Sequence, residues 1–341
     1  MRRFIVGAAV LLLVLAMLVL LAACGSSTSS SSSGTPSASA SGATAATVEG
    51  IPVTTDPSLK AMLPSSNQSS GQIRCASDIP YPPWEYYDPS TSTNPAGFDY
   101  DLSQMIGAKI GVKVSFNKVP FATIFLSVKG GKNDMLMSDA YDTVDREKQG
   151  ISFVGYAADS TSIVVKKGNP NGITSANDLS GKTVACESGT TQEAYLKVLN
   201  AQFASDGKAK VTVLALPDQP AALLAVTTGR AVGDLTDTST GAYIAKTTNN
   251  GNTYELVVDP AAPTGYFPQL VAAGINASNT QLINTVQKAI QALIDDGTYT
   301  KLIDAWAAKG YHFTPVTSAQ VNAGPAYAKA SLASASASPS P

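Results

Sequence analysis

The sequence reads GKNDMLMSD at residues 131–139 and GRAVGDLTD at residues 229–237. Each stretch begins with glycine and a basic residue, contains a short apolar strand, and ends in a hydroxyl residue followed by aspartate. This repetition predicts two lobes of similar build. Ligands of open α/β sheets bind beyond the carboxyl ends of the strands, so we expect Asp139 and Asp237 to point toward a cleft between the lobes. The alternative is that each aspartate only caps the turn after its strand.

Strand patterns alternate with helical patterns on both sides of these stretches, which predicts an α/β fold built around mainly parallel sheets. Predicted strands cover residues 73–76, 112–116 and 183–186. At the start of one helix, Thr190 and Glu193 have the spacing of a capping box, in which each side chain accepts a hydrogen bond from the other residue's backbone N–H. Amphipathic periodicity predicts four helices, and Gly111 ends the first of them. Their apolar faces are Leu102, Met105, Ile106 and Ile110 in the first helix; Leu196, Leu199 and Phe203 in the second; Leu282, Ile283, Val286, Ile290, Leu293 and Ile294 in the third; and Leu302, Ile303 and Trp306 in the fourth.

The amino terminus has the features of an export signal. Arg2 and Arg3 precede an uncharged apolar run, residues 4–23, that ends directly before Cys24. A charged start, an apolar core and small residues before the cut are typical of a signal peptide, and small residues followed by cysteine are what lipoprotein processing requires. We therefore expect residues 1–23 to be removed and lipid on Cys24 to hold the exported protein on the outer face of the cell membrane. Alternatively, an apolar run of this length could remain as a membrane-spanning anchor.

Two low-complexity segments flank the central sequence. Residues 24–70 consist mostly of Ser, Thr, Ala, Gly and Pro, and residues 317–341 have a similar composition. Such segments contain few large apolar side chains, so they cannot bury enough surface to offset the entropy lost on ordering. We expect a disordered linker at residues 24–70 and a disordered tail at residues 317–341.

Composition and charge exclude several functions. The 23 basic and 25 acidic residues give a net charge of −2, and no basic cluster provides the electrostatic footprint of a nucleic-acid-binding protein. Zinc sites usually draw on several histidine or cysteine ligands, whereas this chain has one histidine, His312. We expect neither a metal nor a cofactor.

The central sequence resembles the family 3 extracellular solute-binding proteins, the amino-acid-binding components of ABC importers. The resemblance lies in the order and spacing, over residues 73–313, of short segments that are not specific singly: SDIPYPPWE (77–85), GFDYDL (97–102), VPF (119–121), TVDR (143–146), SGTT (188–191), DLTD (234–237) and DGTY (296–299). It implies a type II periplasmic-binding-protein fold, with two lobes joined by a two-strand hinge. Lobe 1 would comprise residues 71–157 and 266–316, and lobe 2 residues 158–265, with the chain crossing near residues 156–162 and 264–269.

The same layout bears on the two remaining cysteines. A pair of cysteines in an exported protein could form a disulfide. The resemblance places Cys75 and Cys186 in corresponding strands of different lobes, too far apart for the geometry of a disulfide. We therefore expect two buried free thiols.

The resemblance also implies a site for an amino-acid zwitterion, both of whose charges must be paired once buried. Arg146 matches the family's carboxylate-binding arginine, whose planar fork suits bidentate pairing. Thr190, at a helix N-terminus, would add backbone donors to the same carboxylate. Asp237 matches the ammonium-binding aspartate, and Asp78 matches a position that reaches the ligand's side chain. The aromatic positions of the pocket wall are matched by Tyr81, Trp84 and Phe121.

Several of these residues have a structural alternative. Arg146 could pair with Asp142 or Asp145 on its own turn. Trp84 and Phe121 could belong to the ordinary core. Thr190 could serve only as a helix cap.

The sequence departs from the family pattern at Ser138-Asp139-Ala140-Tyr141-Asp142, where small residues and a threonine commonly bind the ligand carboxylate. Asp139 and Asp142 would compete with that carboxylate for Arg146, or neutralise the arginine. Carboxylates combined with aromatic faces suit a cation. We therefore expect a basic amino acid or an amine as the ligand, and include Ser138, Asp139 and Tyr141 in the candidate site, with Glu187 as a further carboxylate.

These expectations describe the lipid-anchored, monomeric substrate-binding component of an ABC importer, which closes around a small molecule and is recognised by a membrane permease. One alternative is a ligand-sensing lipoprotein that reports to a membrane receptor. Another is an exported enzyme resembling the cyclohexadienyl dehydratases of the same fold, with Asp78, Glu187 or Asp139 as acid–base groups. We expect no enzyme and no catalytic residue, because His312 lies far from the motifs and no Ser-His-Asp or Cys-His set can form.

Overall fold

The structure, a computed structural model, describes residues 45–337 and, within them, the side chains of residues 46–331. The expected signal peptide, Cys24 and the first part of the expected linker lie outside the described residues. No helix in the described part of the chain is long and apolar enough to cross a membrane.

The described strands are, in chain order, β1 (Ala45–Val48), β2 (Ile51–Thr54), β3 (Gln72–Ser77), β4 (Tyr86–Tyr87), β5 (Pro95–Ala96), β6 (Lys113–Lys118), β7 (Met135–Leu136), β8 (Ile151–Lys166), β9 (Thr183–Glu187), β10 (Thr212–Leu216), β11 (Gly233–Asp237), β12 (Tyr254–Val257), β13 (Tyr266–Asn276) and β14 (Thr314–Pro315). The described α-helices are α1 (Pro57–Met62), α2 (Ser65–Ser70), α3 (Phe98–Ile110), α4 (Phe121–Lys129), α5 (Val144–Lys148), α6 (Thr191–Ser205), α7 (Gln219–Thr227), α8 (Thr238–Thr247), α9 (Thr280–Asp295), α10 (Thr298–Ala308) and α11 (Gly324–Ala337). Short 3₁₀ helices lie at Ala176–Leu179 and Thr248–Gly251.

The main sheet has the strand order β10-β9-β11-β8-β13-β7-β3-β6. Its two long central strands, β8 and β13, are antiparallel to each other. On one side of them, β7, β3 and β6 are parallel neighbours; on the other side, β11, β9 and β10 are parallel neighbours. We call the part of the molecule around β3, β6 and β7 lobe 1, and the part around β9, β10 and β11 lobe 2.

The two central strands connect the lobes. Along β8, the pairing partner changes from β13 to β11 around residues 159–161, and β13 has a register irregularity between Tyr266 and Gln269. The predicted crossings near residues 156–162 and 264–269 therefore fall within β8 and at the start of β13. The α/β class, the two lobes and the two-strand connection agree with the sequence prediction.

Each lobe has its own buried apolar side chains, and the predicted helix faces supply many of them. In lobe 1, Leu102 of α3 and Ile290 of α9 are fully buried; in lobe 2, Leu196 of α6 is. Cys75 in β3 and Cys186 in β9 are buried and free, as predicted.

The predicted linker at residues 24–70 is wrong from residue 45 onward. Strands β1 and β2 form a hairpin whose two turn residues, Glu49 and Gly50, have φ values of 50° and 75°, as a type I′ turn requires. Val53, Leu59 and Leu63 are 0–4% exposed and belong to the core of lobe 1. Composition averaged over the whole segment concealed these few apolar residues, and their burial depends on partners that are distant in the sequence.

The predicted disordered tail at residues 317–341 is also wrong for residues 317–337. Backbone pairing with β8 orders the first part, since Gly155 N donates to Gln320 O at 3.0 Å and Asn322 N donates to Phe153 O at 2.9 Å. Helix α11 follows directly. Pairing of this kind uses backbone groups, which leave no trace in amino-acid composition.

Candidate functional site

A small cavity lies where the two lobes meet. Its volume is about 10 Å³, roughly the space that one water molecule needs, so the lobes contact each other across the cleft. Lobe 1 contributes Asp78, Tyr81, Glu85, Phe121, Ser138, Asp139 and Arg146, and lobe 2 contributes Glu187, Thr190, Thr191, Gln192 and Asp237.

Strand ends position four of the five carboxyl side chains that line the cavity. Asp78 follows β3, Asp139 follows β7 by three residues, Glu187 ends β9 and Asp237 ends β11. The carboxyl ends of parallel strands form the usual binding edge of an open α/β sheet. The prediction that Asp139 and Asp237 face the cleft from the two lobes is confirmed.

Asp237 is the most heavily hydrogen-bonded carboxylate of the cavity. Tyr81 Oη donates to Oδ2 at 2.5 Å, Gln192 Nε2 donates to Oδ1 at 2.7 Å, and the Tyr141 hydroxyl donates to Oδ1. Asp237 precedes α8 but makes no side-chain capping bond, so the alternative of a mere turn cap is wrong here. Burial raises the pKa of Asp237 to about 6, against the opposing effect of these hydrogen bonds.

Arg146 lies buried on the short helix α5. Its Nη1 donates to Tyr141 O at 2.7 Å, and its guanidinium carbon lies 5.3 Å and 4.6 Å from the ring centroids of Phe121 and Phe125. Burial lowers its pKa to about 10. No ion pair between Arg146 and any carboxylate is present in the described part of the chain. The alternative in which Arg146 pairs with Asp142 or Asp145 is therefore wrong for this structure, and neither Asp139 nor Asp142 forms an ion pair with the guanidinium.

The cavity contains more carboxyl groups than cations. Glu187 of lobe 2 lies near Asp78 of lobe 1, and burial, followed by the influence of the Asp78 carboxyl group, raises the pKa of Glu187 well above its usual value. Both carboxylate oxygens of Asp139, Oε2 of Glu85 and Oε1 of Glu187 are buried without a hydrogen-bond partner among the described residues. Burial, followed by repulsion from neighbouring carboxylates, raises the pKa of Asp139 and that of Glu85. Unpaired buried carboxylates are costly, so this arrangement suits a cation.

These shifts predict that the ligand-free protein becomes more stable on acidification. Burial raises the pKa of Asp99 and Asp159 to about 7 and that of Asp237 to about 6, whereas an unfolded chain has values of about 3.9. The folded state thus favours the protonated carboxyls. This stabilisation is complete below the unfolded value and is lost as the pH rises through 6 to 7. The unfolding temperature should fall by about 5 °C or more between pH 5 and pH 8, as measured by circular dichroism.

The matched variant for this experiment is Asp139→Asn. Asparagine tolerates the left-handed backbone at this position, where φ is 42°, and it cannot ionise. It should raise the unfolding temperature at pH 8 more than at pH 5. An unfolding temperature that rises with pH in the unmodified protein would contradict the assignment of these pKa values.

The first turn of α6 supplies the remaining polar groups. Thr190 Oγ1 accepts from Glu193 N at 3.3 Å, as the capping box predicts. The reciprocal bond differs, because Glu193 Oε2 accepts from Gly189 N at 2.9 Å rather than from Thr190 N. Thr190 is thus a helix cap that also lines the cavity.

The structure brings most of the predicted site residues together, with two differences. Tyr141 reaches the site only through its hydroxyl on Asp237. Trp84 does not line the cavity: it is fully buried, with its ring 4.6 Å from that of Phe313 and 5.6 Å from that of Phe98. The ring of Trp84 therefore packs in the core, outside this cavity, while its Nε1 donates to Ser239 Oγ of α8 at 2.8 Å; its role in ligand binding stays a prediction. The cavity-lining residues that the sequence prediction omitted are Glu85, Thr191 and Gln192.

Comparison with known proteins identifies the family. The model of the bacterial extracellular solute-binding proteins, family 3, matches residues 73–309. The chain belongs to this family. The solute-binding protein is 27% identical over 237 residues to the putative ABC transporter arginine-binding protein 2 of Escherichia coli K12, covering 70% of this chain and 91% of the relative.

Solved structures agree with this assignment. An ancestral arginine-binding protein bound to arginine matches with a TM-score of 0.59 and 28% identity, over 69% of this chain and 98% of that one. An ancestral amino acid-binding protein, described as a precursor of cyclohexadienyl dehydratase, matches with a TM-score of 0.59 and 27% identity, over 71% of this chain and 97% of that one. The predicted family and the type II periplasmic-binding-protein fold are confirmed.

Proposed function

We propose that this solute-binding protein is the lipid-anchored, monomeric substrate-binding component of an ABC importer, and that its ligand is an amino acid with a cationic side chain. The observation that carries the proposal is the charge of the cavity, where one buried cation, Arg146, faces an excess of buried carboxylates. Arginine or lysine carries one negative and two positive charges. Such a ligand therefore complements the cavity better than a neutral or acidic amino acid does.

Each charge of the ligand has a partner. The carboxylate would bind Arg146 and the backbone N–H groups at the start of α6. The ammonium would bind Asp237 and displace tyrosine hydroxyls that now donate to it. The side-chain cation would lie between the carboxyl groups of Asp78 and Glu187, which line the cavity from opposite lobes. The names of the relatives, two of which refer to arginine, support this ligand class.

Hinge closure follows from how the groups are divided. Arg146 and Asp78 lie in lobe 1, whereas Asp237 and Glu187 lie in lobe 2, so a ligand gains its second set of contacts only when the lobes close. Closure also brings carboxylates together, which costs free energy unless a cation or a proton lies between them. The closed form would be recognised by a permease, and lipid on Cys24 would keep the protein near it.

We propose binding without catalysis. The relatives and structures above are named as binding proteins, including the precursor of the dehydratase. The single histidine of the chain, His312, is not among the residues that line the cavity.

A ligand screen tests the proposal. Arginine or lysine at 100 times its Kd should stabilise the protein by about 2.7 kcal/mol, which raises the unfolding temperature by roughly 5–10 °C. Glutamate should give no shift. Differential scanning fluorimetry over the amino acids, agmatine and putrescine measures the change in unfolding temperature. Calorimetry of the ligands that give a shift then measures their Kd. Tight binding of glutamate or glutamine, together with none of any cationic amino acid, would contradict the ligand class.

A further inference from the structure

The carboxyl-terminal segment reaches the site from outside the region that the family shares. The family model ends at residue 309, and β14, residues 320–322 and α11 all follow it. The segment runs along β8 and places Gly324, the first residue of α11, against Asp142. Gly324 N donates to Asp142 Oδ2 at 2.7 Å.

This contact is sterically tight. A Cβ atom on Gly324 would lie 2.1 Å from Asp142 O and 2.6–2.7 Å from Cβ and Cγ of the same residue. Any side chain at this position must displace the start of α11 or Asp142 itself. Asp142 is only 2% exposed. Water therefore cannot take the place of the Gly324 N–H group as a hydrogen-bond donor to its carboxylate. Its other carboxylate oxygen, Oδ1, has no partner among the described residues.

Arg146 follows Asp142 by four residues, close enough for the Asp142 carboxylate to favour the charged guanidinium, although less strongly than Asp237 and Asp139 do. The two nevertheless form no ion pair: Asp142 faces Gly324, while Arg146 binds Tyr141 O and lies against two phenylalanine rings. We infer that the amino-terminal end of α11 holds the Asp142 carboxylate away from Arg146 and thereby keeps the guanidinium available to the ligand carboxylate. Asp142 is then a positioning residue, and the inference rests on the proposed function.

The test uses the full chain and the variant Gly324→Ala. Displacement of α11 should release Asp142 to pair with Arg146, and the Kd for arginine, measured by calorimetry, should rise about tenfold or more. Asp142→Asn keeps an oxygen for the N–H of Gly324 and should change the Kd by less than about twofold. The double variant Gly324→Ala with Asp142→Asn should recover the affinity of Asp142→Asn, because asparagine cannot pair with arginine as an ion. Ala326→Ser, at an exposed position of α11, is the control.

Two results would overturn the inference. One is an unchanged Kd in Gly324→Ala; the other is a loss of affinity that Asp142→Asn does not restore, which would make α11 a purely structural element. A crystal structure of Gly324→Ala supplies a readout that needs no ligand, since an ion pair between Asp142 and Arg146 is expected there and continued separation contradicts it. If the ion pair forms in Gly324→Ala but the unmodified protein binds no amino acid, the proposed function fails and the positioning role of α11 stands.

Discussion

Asp237→Asn should lower the affinity for arginine or lysine by about 100-fold or more. The ligand ammonium would lose its carboxylate partner inside a closed cleft, and truncation of one partner of a buried charge pair costs about 2–5 kcal/mol, where each 1.4 kcal/mol is a factor of ten. Asparagine keeps an oxygen acceptor for Tyr81, Tyr141 or Gln192. Calorimetric titration of the purified variant measures the change.

The variant should also lose ligand-driven closure, because the ammonium provides part of the contact with lobe 2. Small-angle X-ray scattering with and without arginine reports this directly. Asp145→Asn is the control with the same change of charge: its side chain is 91% exposed on α5, and it should retain both affinity and compaction. Full compaction by arginine in Asp237→Asn would contradict the proposed role of Asp237.

Local patterns were sufficient for the elements that build the lobes. The alternation of residues 112–116 predicted β6, and the apolar periodicity before Gly111 predicted α3, because burial on one face imposes these periods. Gly111 itself takes the left-handed conformation, with φ of 82°, that ends a helix most easily in glycine. Residues 45–70 and 317–337 could not be predicted in this way. Their order comes from a few apolar side chains and from backbone pairing with distant strands.

The site was predictable where topology decides it. Asp139 and Asp237 follow from the rule on strand ends, and this rule needs no side-chain detail. The rule does not predict which of two adjacent loop residues faces the cavity. Trp84 was expected there, but Trp84 packs in the core and the adjacent Glu85 lines the cavity instead. The alternative in which Arg146 pairs with Asp142 or Asp145 fails for a similar reason. Sequence proximity suggested Asp142, whereas the fold brings Phe125 and the start of α11 to these residues.

The charge of the cavity connects the ligand class with the pH dependence. The raised pKa values of Asp159 and Asp237, about 7 and about 6, place protons on some of the buried carboxyl groups near pH 6, and a cationic ligand would replace these protons. Binding of arginine should therefore release protons near pH 6, and the pH dependence of unfolding should be weaker in the complex than in the free protein.

Arg146→Gln should lower the affinity for arginine by about 100-fold or more, because the ligand carboxylate would be buried without a cation. Agmatine, which is arginine without its carboxylate, provides the contrast: a guanidinium repels this dication, so agmatine should bind the variant at least as well as it binds the unmodified protein. Arg146→Lys keeps the charge but loses the planar fork, and should lower arginine affinity by about tenfold.

Lys148→Gln, on the same helix with a side chain that is 73% exposed, removes the same charge and should leave every affinity unchanged. The variant Arg146→Gln is expected to fold, because glutamine is neutral and burial already disfavours the charged guanidinium. The lowered pKa of Arg146, about 10, indicates this cost of burial. Calorimetry with both ligands on all variants separates two roles for Arg146. Equal losses for arginine and agmatine would mean that Arg146 supports the shape of the site, whereas a loss confined to arginine would identify it as the carboxylate partner.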